Sequence, residues 1–166
     1  MSYFIHPIPL TKSAFFPFGD VIEAEGTTLT HINQGFGRRY NDLADVQVAA
    51  EGGSTNVSVI VGSVRPHPVA IQVMERHPLG SQIFYPLQEL PWLVVVCTDP
   101  KDPETFRSFH ATGRQGVNYA RGVWHHPLLV RENDCRFLVI DRKGPGNNLE
   151  EYWRDAANIV LAVEPL

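Results

Sequence analysis

Two short segments concentrate residue types that can move protons or hold a cation. In Glu75-Arg76-His77-Pro78-Leu79-Gly80-Ser81-Gln82 a carboxylate and an imidazole stand two positions apart. On a strand both would project to one side, because side chains alternate between faces. That spacing suits two ligands on one metal ion, or a base with its orienting carboxylate. A solvated strand end would show the same residues. The second segment runs Gly116-Val117-Asn118-Tyr119-Ala120-Arg121-Gly122-Val123-Trp124-His125-His126-Pro127. Adjacent histidines on a strand face opposite sides, so only one of them can enter a given cavity. His125 is expected inward and His126 on the outer face. Gly122 permits a tight bend that could aim the strand inward, and a structural histidine with satisfied bonds is the plainer alternative. In a third stretch, Asn33 to Leu43, Arg39 could fork onto a carboxylate and Asn33 could bind an amide; a solvated loop is the competing view. Gly35 and Gly37 lack the strand-loop-helix setting of a phosphate loop. The chain has no Gly-x-Ser-x-Gly elbow, so a hydrolase triad finds no support. His6, His67 and His110 stand alone and are assigned no role.

The elements that must position these groups are mostly strands. From Ala70 to His77, Ile71, Val73, Glu75 and His77 share one face at period two. That face passes from apolar to ionisable, as expected of a strand running from a packed interior to a cavity mouth. Arg76 falls on the opposite face. Further strands are predicted at Asp20–Glu23, Thr28–Ile32, Val57–Val61, Ile83–Leu87, Trp92–Cys97, Phe106–Ala111, Val123–Val130, Arg136–Asp141 and Ile159–Val163. A short helix is predicted after Leu10, capped by Thr11 and ended by Pro17 and Gly19. Asn33 to Asp42 reads as a loop. About ten short strands punctuated by turns point to an all-β fold, a cupin-like jelly-roll barrel whose mouth would form a small-molecule site.

Composition agrees with that class. The chain has 166 residues, a length suited to a single domain spanning 1–166. Gly and Pro number 13 each, which argues against a helix bundle. Lys plus Arg is 14 against 18 for Asp plus Glu, a formal charge of −4. A nucleic-acid partner would normally demand a basic patch, so none is expected. No apolar run approaches the roughly 20 residues of a membrane helix, and the N-terminal residues do not read as a secretion signal. A soluble, cytoplasmic, β-rich protein with no membrane partner is the expectation. Cys97 and Cys135 sit in apolar segments and are expected in the core rather than in a disulfide.

The two signature segments, with Phe84 and Pro86 after the first and Gln115 before the second, resemble those of the ureidoglycolate lyases, formerly often labelled ureidoglycolate hydrolases. Asn33, Gly35, Arg39-Tyr40, Asp42-Leu43 and Ile140-Asp141-Arg142 match the same family pattern. The resemblance covers roughly residues 10 to 145. It implies a cupin-like fold, a homodimer, and cleavage of ureidoglycolate to glyoxylate and urea in allantoin catabolism. Against the general cupin metal motif, Glu75 stands in the first His position, His77 in the second and Gln82 near the Glu. The second motif keeps Gly122 and His125, loses its Pro, and has Leu129 in place of an Asn. The resemblance therefore implies Glu75, His77 and His125 as catalytic residues and as ligands for a divalent ion such as nickel. Asn33, Arg39, Tyr40, Arg76, Gln82, Tyr119 and His126 are the candidates for binding substrate. Two other functions suit the same residues: an amidohydrolase releasing ammonia from ureidoglycolate, or a non-catalytic metabolite-binding cupin.

Overall fold

The computed structural model describes residues 2–155 and 157–163. Two large sheets face one another. One has five strands in the order Gly19–Ile22, Gly116–Tyr119, Gln82–Pro86, Cys135–Lys143 and Ser54–Gly62, all antiparallel neighbours. The other runs Glu150–Trp153, Val73–Arg76, Trp124–His125, Trp92–Cys97, Arg107–Ala111 and Ile8–Pro9, with Leu129–Val130 also pairing to Trp92–Cys97. A three-stranded layer of Tyr3–Ile5, Ile159–Leu161 and Val69–Ala70 makes up a further sheet. The all-β expectation holds.

Trp92–Cys97 explains why one segment is apolar at every position. Trp92, Val94 and Val96 pack with Phe84, Val117, Phe137 and Val139 between the large sheets. Leu93, Val95 and Cys97 pack on the other side with Ile5, Val69, Ile71, Met74, Ile159 and Leu161. A strand buried on both faces reads as an unbroken hydrophobic run rather than as an alternation. Each such side chain contributes roughly 1.5–3 kcal/mol on burial, so the two cores sharing this strand hold the layers together. Both cysteines are buried and free, and burial pushes the Cys97 thiol up to about 12.

The helix is shorter than expected, Lys12–Phe15 followed by a 3-10 turn at Phe16–Phe18, and Thr11 caps it by accepting from the Ala14 N–H at 3.2 Å. Gly19 ends it at φ 141°, where a Cβ would lie 1.9 Å from the Asn118 carbonyl oxygen. Two predicted strands are broken. Ala70–His77 divides into Val69–Ala70 and Val73–Arg76, and the break at Ile71-Gln72 resets the parity. Ile71 and Met74, three apart, therefore enter the same core, while Val73 and Glu75 keep the other face. Val123–Val130 divides into Trp124–His125 and Leu129–Val130, and Pro127 between them has no N–H for a ladder. The stretch from Asn33 to Asp42 is not all loop. Gly37–Tyr40 pairs with Leu29–Ile32 in a separate two-stranded hairpin. Asn33, Gln34 and Gly35 turn it with φ of 53°, 55° and 93°. Glu150–Trp153, polar at its start, is a strand that its sequence does not announce.

Candidate functional site

Glu75 and His125 come together because their strands pair antiparallel with these two residues directly opposite. Opposed residues on one face have Cβ atoms about 4.5–5.5 Å apart. His125 also lies opposite Val96, whose side chain belongs to the core between the large sheets, so this face looks inward. His77 stands just past the end of Val73–Arg76. Its carbonyl accepts from the Gly122 N–H at 2.9 Å, and Arg121 Nε donates to the Pro78 carbonyl. These bonds lock the turn after His77 to the turn before His125. One ligand atom from each of Glu75, His77 and His125 then lies within 4.8 Å of the others. Tyr119, from the facing sheet, stacks flat on the His125 ring with centroids 4.1 Å apart and planes 9° from parallel.

Hydrogen bonds fix both imidazoles. The His125 Nδ1 faces the Val123 carbonyl at 3.0 Å and the His77 Nδ1 faces the Asn148 carbonyl at 2.7 Å. A carbonyl only accepts, so each Nδ1 carries the proton. The His125 Nε2 is buried without a hydrogen-bond partner and points at the Glu75 carboxylate, 3.5 Å from Oε1. The His77 Nε2 lies 3.2 Å from Gln82 Oε1. Burial works against ionisation of Glu75, but the adjacent His125 ring, with His77 and His126 beyond, outweighs it and holds the carboxyl below its usual range. Tyr119 is held protonated: burial, and then the nearby Glu75, raise its phenol far above the ordinary value.

The other sequence candidates divide. Gln82 is buried and joins the cluster through His77. Arg76 turns away as its parity demands, bonding Glu150 at 2.6 Å and lying 4.7 Å over the Trp124 ring. Asn33, Arg39 and Tyr40 ride on the hairpin, where Asn33 and Arg39 are exposed, and no hydrogen bond among the described residues joins them to the cluster. His126 requires a correction: it is not on an exposed outer face. It is 3% exposed, with its N–H on the Val95 carbonyl at 2.9 Å. Val95 belongs to the second core, so the outer side of this sheet is itself a packed layer. Burial, reinforced by Arg65, pushes His126 down to about 4 against the pull of the Pro127 carbonyl.

Three participants escaped the sequence reading of roles. Asp141 accepts from Gln82 Nε2 at 3.1 Å and from Asn56 Nδ2 at 2.9 Å. Asn148 contributes a backbone oxygen, for which side-chain type gives no signal. Arg142, 7% exposed, spends its guanidinium on the carbonyls of Ala50 and Pro145 and so braces the loops beside the cluster.

The donor set fits a divalent cation. A carboxylate and two imidazole Nε2 atoms converge, one of them buried and unpartnered. Each imidazole has its other nitrogen anchored on a backbone carbonyl, the arrangement that orients metal-ligating histidines. The His77–Gln82 contact can be satisfied in two ways. An imidazolium can donate Nε2–H to the amide oxygen, or the Nε2 would serve as one of the three ligands with Glu75 and His125.

Comparison with known proteins points one way. The family model described as ureidoglycolate lyase matches residues 2–161. Ureidoglycolate lyase 1 of Rhizobium meliloti (strain 1021) is 49% identical over 161 residues, 96% of this chain and 95% of that one. The ureidoglycolate lyase of Stutzerimonas stutzeri (strain A1501) is 52% identical over 147 residues, 87% of this chain and 86% of that one. Among solved structures, a dTDP sugar isomerase from Desulfovibrio desulfuricans G20 aligns with a TM-score of 0.42 and 17% identity over 82% of this chain and 88% of that one. The chain belongs to the ureidoglycolate lyase family.

Proposed function

We propose that this protein cleaves ureidoglycolate to glyoxylate and urea, acting as one domain with its chemistry at the Glu75, His77 and His125 cluster. The observation that carries the reading is this inward-facing trio, in a chain about half identical to named ureidoglycolate lyases. The substrate carbon bears a carboxylate, a hydroxyl and the ureido nitrogen. Loss of the hydroxyl proton lets its electron pair form the C=O of glyoxylate as the C–N bond breaks. The pair from that bond passes to the ureido nitrogen, which takes a proton and leaves as urea. No water is consumed and no covalent nucleophile is needed.

The bare Nε2 of His125 is the base, and the Glu75 carboxylate beside it stabilises the imidazolium that forms. His77, entering the cycle as an imidazolium whose Nε2–H faces Gln82, gives its proton to the leaving nitrogen, and solvent exchange then removes the proton from His125 and restores the one on His77. The Tyr119 hydroxyl, held protonated, donates to substrate oxygen, and Gln82 binds the ureido group. A second reading is favoured by the anchoring of both Nδ1 atoms. Glu75, His77 and His125 would hold a divalent ion such as nickel, which would supply polarisation of substrate oxygens.

A coupled assay of glyoxylate and urea from ureidoglycolate tests the function. Equal amounts of both are expected. Ammonia in place of urea would make the protein an amidohydrolase, and tight binding without turnover a metabolite-binding module. Turnover that survives chelation with no metal left by elemental analysis assigns the proton transfers to the imidazoles. Loss on chelation, restored by nickel, assigns the trio to ligation.

The protein is further proposed to be a cytoplasmic homodimer with no nucleic-acid or membrane partner. Val57, Val59 and Val61, exposed along one face of the edge strand Ser54–Gly62, supply an apolar surface suited to a second copy. The acidic balance disfavours nucleic acid, and no helix among the described residues is long and apolar enough to cross a membrane. Sedimentation of the purified protein tests the dimer.

A further inference from the structure

A row of polar side chains crosses the inner face of the five-stranded sheet next to the cluster. Asn56 lies opposite Asp141 on neighbouring strands, and Gln82 lies opposite Tyr119. The pairing of Ile140 with Ile83 brings Asp141 beside Gln82. Gln82 Nε2 donates to Asp141 Oδ2 at 3.1 Å, and Asn56 Nδ2 donates to Asp141 Oδ1 at 2.9 Å. Both carboxylate oxygens are thus engaged, which holds the Asp141 side chain in place.

An amide has nearly the same shape either way round, and only its hydrogen bonds decide which end carries oxygen. Turning the Gln82 amide over would set its carbonyl oxygen against the Asp141 carboxylate, acceptor against acceptor. The carboxylate therefore forces the NH2 group toward itself and the oxygen toward His77, 3.2 Å away.

We propose that Asp141 is a positioning residue that acts through Gln82, fixing the amide so that the site is offered a hydrogen-bond acceptor and never a donor at this point. On the lyase reading, on which this part rests, the partner of that oxygen is an N–H of the ureido leaving group. The same arrangement turns away a group that presents only acceptors. Asp141 itself touches no reacting atom.

Asp141→Asn tests this, because it keeps the size and removes the charge that enforces the orientation. The new amide can meet Gln82 with either its oxygen or its NH2, so the Gln82 amide is free to turn. In purified protein the side-chain 15N–1H pair of Gln82, identified by its loss in Gln82→Leu, is expected to move when Asp141 becomes Asn. An unmoved pair overturns the proposal whether or not the protein turns over ureidoglycolate. If the pair moves and the wild type does not cleave ureidoglycolate, the positioning role stands and the lyase reading falls. With turnover, Asp141→Asn should lower kcat about 10–100-fold with the melting temperature nearly unchanged. Added to Gln82→Leu it should cost nothing more, since a residue acting only through Gln82 has nothing left to act on. Multiplying effects in the double variant, or wild-type kcat in Asp141→Asn, would overturn it.

Discussion

The inner end of the facing sheets and the hairpin Leu29–Tyr40 both carry residues that the sequence marks for chemistry, and the fold treats them in opposite ways. Glu75, His77 and His125 are drawn from separate segments into one cluster by strand register and by bonds between two turns. Tyr119 and Gln82 arrive from the facing sheet. On the hairpin, Arg38, Arg39 and Phe36 face solvent, Phe36 at 94% exposure, and among the described residues the two strands pair only with each other. Proximity in sequence and polar composition look alike in the two regions. Long-range pairing separates them, because it removes water from one set of groups and leaves the other set in it. Inside, a missing hydrogen bond is costly, so the unpartnered His125 Nε2 carries information that an exposed arginine does not.

The sharpest way to break the comparison is to remove His125. His125→Ala should lower kcat about 10²–10⁴-fold, the usual contribution of a positioned acid or base. Steady-state kinetics with ureidoglycolate checks this, and a near-wild-type rate would reduce the buried cluster to scaffolding.

Acid should also act on the packed layers. His126 titrates near 4 when folded and near 6.5 when exposed by unfolding. The unfolded chain then binds the extra proton first, so stability is full above about pH 6.5 and is lost as pH falls toward 4. The loss from this residue is up to about 3 kcal/mol. Glu75, whose carboxyl is depressed in the fold, adds a further loss below its ordinary value of 4.5. Urea unfolding at a series of pH values should show the first slope in the wild type and a weaker one in His126→Gln. An unchanged slope would mean that His126 is not the group responsible.

Much of the buried end is legible in the sequence because it obeys local rules. The two-residue spacing of Glu75 and His77 puts them on one side, and alternation lets only one of His125 and His126 face inward. Trp92–Cys97 reads as a strand with bounds that the structure keeps. What stays hidden is whatever depends on pairing between distant strands. Asp141 belongs to the cluster's surroundings only because the register of Ile140 on Ile83 sets it beside Gln82. Asn148 acts through its backbone. His126 misleads because alternation predicts a face but not what covers that face, and here the cover is a second core. The break at Ile71-Gln72 is invisible for a related reason: Ile71, Val73 and Glu75 alternate in sequence while Ile71 packs with Met74.

The smallest effect is expected at the hairpin, and it bears most directly on the contrast. Arg39 is among the residues on which the sequence resembles the family, and a guanidinium fork is chemically apt for the substrate carboxylate. Yet it is exposed and, among the described residues, bonded to nothing in the cluster. A solvent-exposed substitution away from packed features changes free energies by about 0.5 kcal/mol, so Arg39→Ala should alter kcat/KM about twofold. A rise in KM of about tenfold or more at unchanged kcat would show the arginine binding substrate in the ground and transition states alike. Measuring kcat/KM for this variant in dilute and concentrated protein would locate the source. A loss independent of protein concentration places the hairpin over its own cluster. Partial activity recovered by mixing Arg39→Ala with His125→Ala, each impaired alone, would place it over the cluster of a second copy, since each mixed dimer regains one intact site. Without either result, the two regions differ in function as they differ in burial.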